Sequence, residues 1–99
     1  MSSFDVAQIN GVVHERMRLG ILAFLADEEV ASFSELKARL NTTQGNLSVH
    51  LRKLEDAGYV AIQKSFVARK PLTRVRLTAA GRKAFVAYLD SIAKLIEDR

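Results

Sequence analysis

Ninety-nine residues, 48% of them apolar, make one domain spanning 1–99. With no cysteine, two histidines, no leader and no apolar run of about 18 residues, the expectation is a cytoplasmic protein without disulfide, metal or cofactor. The net charge of +4 is concentrated: residues 31–76 hold nine basic and three acidic side chains, against two and five in residues 1–30. That segment points to a polyanion partner.

In chain order, segment 12–26 reads as a helix, apolar nearly all round its second half at Leu19, Ile21, Leu22, Phe24 and Leu25. Asp27, Glu28 and Glu29 are expected to turn in solvent, and Phe33 to pair as a very short strand. Ser32 or Ser34 can cap a short helix over 34–40, with Glu35 three after Ser32 as a capping box requires. Leu36 and Leu40 share one face of it. Asn41, Thr42 and Thr43 interrupt the pattern, and either threonine can cap the next helix. That helix, over 43–57, has a narrow apolar face at Leu47, Leu51 and Leu54 and closes at Gly58.

Beyond Gly58 the period changes from helical to alternating. Residues 59–66 and 73–78 read as two strands, with Val60, Ile62, Val75 and Leu77 inward. Arg69, Lys70 and Pro71 lie in the turn between them. Thr78 caps a last helix over 79–98, apolar at Phe85, Leu89, Ile92 and Ile96. The fold class is therefore mainly α with a small β-hairpin wing, in the order of a winged helix-turn-helix.

Two short helices joined by a tight turn, the second free on one side, are what a helix-turn-helix needs. Helix 43–57 commits only three leucines to the core and presents small and polar side chains outward. Base edges in the major groove offer hydrogen-bond partners and thymine methyls, which calls for that composition. Gln44 and Asn46 suit adenine, Arg52 suits guanine, and Val49 can meet a thymine methyl. Gly45 and Ser48 are small and permit close backbone approach, Thr43 joins the expected DNA-binding set, and Arg52 and Lys53 are also placed for phosphates. The weak helix formers at Thr42, Thr43, Gly45, Asn46 and Ser48 together cost about 2–3 kcal/mol relative to alanine, and a purely structural helix has no need of them. Lys64, Arg69, Lys70 and Arg74, with Arg76, make the hairpin a basic finger for a phosphate backbone or a narrow minor groove. Charges on a hairpin also protect a sheet edge, so this finger carries weight only beside the helix-turn-helix.

The run NTTQGNLSVHLRKLEDAGYVAIQKSF, followed by RKPLTRVRLTAAGRKAF, resembles the MarR/ArsR-like winged-helix transcriptional regulators, in particular their compact group of about one hundred residues. HERMRLGILAFL and FSELKARL fit the same pattern, so the resemblance covers roughly residues 9–97. It implies a sequence-specific, double-stranded DNA-binding regulator, expected to repress. Helix 43–57 would enter the major groove, 64–74 would form the wing, and the outer helices would dimerise. Related metal sensors use a cysteine motif that this sequence lacks.

The outer helices carry more apolar surface than so small a core can bury. Ile9, Val13, Met17, Phe85, Leu89, Ile92 and Ile96, with Phe4, Val6, Val12, Tyr88 and Leu95 beside them, are the expected homodimer interface. His50, at the border of the core face, is expected to be a packed, hydrogen-bonded residue, and His14 a helix-start or interface residue. Neither is expected to bind metal or catalyse. Nothing in the sequence specifies a small-molecule effector. The alternative is a protein-docking winged helix, which would present a neutral or acidic face; Arg52, Lys53, Arg69 and Lys70 argue against it. No nucleophile–base pair, carboxylate dyad or phosphate-binding glycine loop is present, so an enzyme is not expected.

Overall fold

The computed structural model describes residues 5–97; Phe4 and the last two residues lie outside the described segment. A 3-10 turn, Val6–Gln8, leads to Asn10, which decides where the first helix begins. Its Oδ1 accepts from the amides of Val12 and Val13 at 2.9 and 3.1 Å, and the resulting turn seats Val13 fully buried. Glu15 then caps α1 (Arg16–Glu28), accepting from the Arg18 amide at 2.8 Å. The helix expected from residue 12 thus starts four residues later, because side-chain bonds to the backbone compete with helical ones. At its other end Asp27 and Glu28, expected to turn, remain helical and exposed. The chain turns only at Glu29, whose φ is 69°.

β1 (Val30–Ser32) comes at once, then α2 (Phe33–Arg39). Ser32 Oγ accepts from the Glu35 amide at 3.0 Å, so Phe33 falls at the helix start rather than in a strand. α3 (Gln44–Asp56) is capped by Thr43, whose Oγ1 accepts from the Asn46 amide at 3.2 Å. Both α2 and α3 end on a left-handed residue in the same motif. After α2 it is Asn41, at φ 50°, with the Thr42 amide on the Lys37 carbonyl at 3.2 Å. After α3 it is Gly58, at φ 81°, with the Tyr59 amide on the Leu54 carbonyl at 2.9 Å.

β2 (Val60–Val67) and β3 (Lys70–Leu77) form an antiparallel hairpin, and β1 adds to the far side of β3, giving the order β1-β3-β2. The register pairs Val60 with Leu77, Ile62 with Val75, Lys64 with Thr73 and Phe66 with Pro71. These four pairs lie on the face that meets the helices at its base. Arg76, Arg74, Leu72 and Lys70 pair on the opposite face with Ala61, Gln63, Ser65 and Val67. The hairpin is longer than the sequence suggests. Its turn is Ala68–Arg69, both at positive φ (52° and 68°), as a two-residue type I′ turn requires. Lys70 and Pro71 therefore belong to β3, not to the turn. Pro71 is tolerated because its nitrogen sits beyond the short β1, on an edge with no strand to receive it.

Thr78 Oγ1 accepts from the Gly81 amide at 2.9 Å and donates to the Gly58 carbonyl at 2.6 Å, tying the start of α4 (Ala79–Glu97) to the end of α3. A Cβ at Gly81 would collide with the Tyr59 carbonyl, so the helix can enter here only on glycine. Arg82 bonds the Ala26 carbonyl at 3.2 Å and joins the ends of α1 and α4. The core gathers Ile21, Leu22 and Leu25 of α1, Leu36 of α2, the three α3 leucines and Val75. Each fully buried leucine is worth about 1.5–3 kcal/mol.

α4 divides its apolar residues between two faces. Phe85 and Tyr88 turn inward and are buried, and Ile92 is half-buried. Val86, Leu89 and Ile96 face outward, Leu89 at 48% and Ile96 at 63% exposure. The expected interface is corrected accordingly: Val13 and Phe85 belong to the chain's own core, and Ile9 and Met17 are half-buried against it. A core taking residues 85, 88 and 92 leaves 86, 89 and 93 on the adjacent stripe of a 3.6-residue helix, and Ile96 lies one turn past Ile92 at the helix end.

Candidate nucleic-acid interface

The turn between α2 and α3 occupies only residues 40–43, and α3 emerges from it held from behind by Leu47, Leu51 and Leu54, all buried. A second attachment, unforeseen in the sequence, comes from Arg18. This arginine is 8% exposed; its Nε donates to the Val12 carbonyl at 2.6 Å and its Nη1 reaches His50 Nδ1 at 3.0 Å. Glu15 Oε1 lies 3.4 Å from the same histidine nitrogen. His50 is thus packed and hydrogen-bonded, and it orients α3 on α1. His14, exposed in the turn before α1, bonds the Tyr88 hydroxyl at 2.9 Å and so touches α4.

Burial pushes the Glu15 carboxyl up, but the amides of Arg18 and Met17 and the charges of His50 and Arg18 outweigh it. The carboxyl is held below its ordinary value. The folded state therefore gains stability above the unfolded glutamate pKa of about 4.3 and loses it as pH falls through the lower folded value. Glu15→Gln should accordingly lower the urea midpoint at pH 7 and make no difference at pH 2–3. A deficit that persists unchanged in acid would show that the charge is not its source.

With α3 anchored this way, its remaining surface divides into stripes. Gln44, Ser48, Arg52 and Glu55 succeed one another at helical spacing and face the hairpin. With Phe33, Leu51, Ile62, Lys64 and Thr73 they line a cleft of about 600 Å³ between helix and wing. Gly45, Val49 and Lys53 form the next stripe, exposed to solvent. Asn46 lies further round, and its Nδ2 donates to Thr42 Oγ1 at 2.9 Å, so one of its two amide donors is already engaged. Thr43 is committed to the cap.

Of the expected wing residues, only Lys64 shares the cleft with α3. Arg69 occupies the turn, whereas Lys70 and Arg74 stand on the outer face, all exposed. The hairpin is therefore basic on its outer face and at its tip rather than uniformly. Cleft residues Phe33, Glu55, Ile62 and Thr73 carry no functional signal in the sequence. The strand alternation that pairs Lys64 with Thr73 could have found the last. Among the described residues, no group of three or more His, Asp and Glu side chains could hold a metal ion, and no helix is long and apolar enough to cross a membrane.

Comparison with known proteins gives this arrangement a context. A family model described as a winged helix DNA-binding domain matches residues 17–96. An uncharacterized protein of Methanocaldococcus jannaschii is 42% identical over 79 residues, 80% of this chain and 86% of that one. The structure of a transcriptional regulator homologue from Pyrococcus horikoshii OT3 superposes with a TM-score of 0.81 at 35% identity, covering 87% of this chain and 85% of the other. An ArsR family transcriptional regulator shares the fold alone, at TM-score 0.57 and 22% identity, over 100% of this chain and 99% of its own.

Proposed function

The chain belongs to the winged helix DNA-binding domain family, and from that premise we propose that it is a transcriptional regulator that binds double-stranded DNA as a homodimer and represses. α3 enters the major groove. Gln44, Ser48 and Arg52 read bases along the side facing the wing, and Val49 meets a thymine methyl on the outer side. Arg52, Lys53, Lys64, Arg69, Lys70 and Arg74 contact phosphates or the flanking minor groove. Asn46 and Thr43 set the helix start and touch the backbone there. The observation that carries this reading is the free surface of α3: a helix pinned by three leucines and Arg18, yet exposed along small and polar residues beside a basic hairpin.

Dimerisation is proposed through Val86, Leu89, Ala93 and Ile96, which repeat at three- and four-residue spacing on the outward face of α4. Ile92, on the same helix, lies at its margin, and Ile9 and Met17, half-buried against the core, would add to it. The chain is elongated, with extents of 60 × 24 × 21 Å, and a second copy would cover the exposed stripe of α4. A two-fold pair also sets two reading helices about one DNA turn apart.

The test is fluorescence anisotropy on an operator selected from random duplex, with an unselected duplex beside it. Gln44→Ala should cost about 1–3 kcal/mol on the operator and little on the other DNA, because base contacts carry the sequence information. Asn46→Ala should cost less, its amide being shared with Thr42. Arg69→Ala and Lys70→Ala should weaken both DNAs alike. Equal losses on both DNAs for Gln44→Ala would remove α3 as the reader.

A further inference from the structure

The end of the hairpin carries an apolar side chain where a solvated edge strand has reason to carry charge. Phe66 is 75% exposed, the most exposed of the large apolar residues in the described chain, and Val67 beside it is 55% exposed. Phe66 pairs with Pro71 on the face that includes Ile62, Lys64 and Thr73. At Ile62, Lys64 and Thr73 that face closes the cleft with α3. One pair further out, Phe66 and Pro71 stand beyond that cleft, both exposed, on the side of the wing that α3 occupies.

Three features make this edge a rigid tool rather than a loose end. The type I′ turn at Ala68–Arg69 lies immediately beyond it, Pro71 has a fixed φ opposite the ring, and β2 and β3 stay in register through all eight pairs. Cations surround it. Lys64 lies on the same face, Arg69 in the turn, and Lys70 and Arg74 on the reverse. A protein partner for an apolar tip would not call for four exposed cations around it. A duplex would, since phosphates line both rims of a groove, and the apolar faces of its stacked bases receive a wedge that opens a step.

We propose that Phe66, backed by Pro71, is a wedge that enters the minor groove beside the half-site read by α3 and partly unstacks one base step. Bound DNA is thereby kinked toward the major groove. Flexible pyrimidine–purine steps yield most readily, so the operator carries one at that position, a preference that no hydrogen bond expresses. This inference rests on the DNA-binding reading and adds to it a role in bending and in indirect selectivity.

The experiment uses the full chain with a duplex labelled at both ends for energy transfer, and a second duplex with 2-aminopurine at the candidate step. Wild-type protein should shorten the end-to-end distance and raise the 2-aminopurine emission. Phe66→Ala removes a side chain outside the core, so circular dichroism should not change. It should weaken operator affinity on the order of tenfold. Its complexes should be straight, with the probe dark and the salt dependence of binding intact. Phe66→Leu, still an apolar wedge, should restore part of the bend. Wild-type complexes that are straight overturn the wedge while leaving the DNA-binding reading in place. Equal bending by wild type and Phe66→Ala does the same. Phe66→Ala that leaves DNA unaffected but abolishes self-association in sedimentation overturns it in favour of a copy-to-copy contact. Wild-type protein that binds no duplex overturns both readings.

Discussion

Affinity for duplex DNA should fall on the order of a thousandfold between 50 and 200 mM salt, if about six phosphates are neutralised per dimer. Each neutralised phosphate releases condensed counterions, so the logarithm of affinity declines linearly with the logarithm of salt at a slope of about −0.9 per phosphate. The six cations assigned to DNA, Arg52, Lys53, Lys64, Arg69, Lys70 and Arg74, are all exposed, and none takes part in an ion pair among the described residues. Half of them per protomer would supply the six contacts. Anisotropy titrations over a salt series measure the slope directly. Arg69→Ala should reduce it by about one per protomer, and Gln44→Ala should leave it unchanged. A flat response in the wild type would mean that the basic wing and helix do not meet phosphate.

Leu89→Glu should convert the protein from dimer to monomer at micromolar concentration. Leu89 is 48% exposed in the single chain, so the substitution leaves the core alone. In a two-fold pair, however, it would place an unpaired carboxylate from each copy in the apolar seam, at a cost of several kcal/mol. Sedimentation velocity should show the shift while circular dichroism stays constant. Operator affinity should drop by about 10²–10⁴, because a single module gives up the second half-site and its effective concentration. Phe85→Glu supplies the contrast. Phe85 is buried in the chain's own core, so that variant should lose its fold rather than merely its partner. A wild-type monomer that binds a symmetric operator tightly would rule out the α4 dimer.

Much of this interface is legible in one dimension. The three leucines at 47, 51 and 54 and the caps at Thr43 and Ser32 are local signals, as are Gly58 and the switch to alternation after it. Each depends on residues a few positions apart, whose geometry is set by the backbone period. The face of α3 proposed to read bases emerges by subtraction, and the positive charge of 31–76 needs only counting. His50 is legible as a packed residue too, since its place beside Leu47 and Leu51 implies a half-buried setting.

Local spacing could not decide which of two adjacent apolar stripes faces inward. Phe85, Leu89, Ile92 and Ile96 satisfy one helical repeat, and Val86, Leu89, Ala93 and Ile96 satisfy another. Packing against α1 selected Phe85 and Tyr88 for the core and left Leu89 and Ile96 outside. Val13 was drawn into the core by Asn10, and Arg18 found its partner 32 residues away at His50. The turn at Ala68–Arg69 carries neither glycine nor asparagine, so the sequence places it too late, around Arg69, Lys70 and Pro71. Only the closed register of β2 on β3 assigned Lys70 and Pro71 to a strand and Phe66 to the face toward α3. The sequence by itself determined the order of elements, the caps of α2, α3 and α4 and the charge of the wing, because these arise from neighbours along the chain. Tertiary structure alone decided the inward and outward faces of α4, the buried arginine behind α3 and the side on which each wing residue stands, because those depend on partners brought together from distant positions.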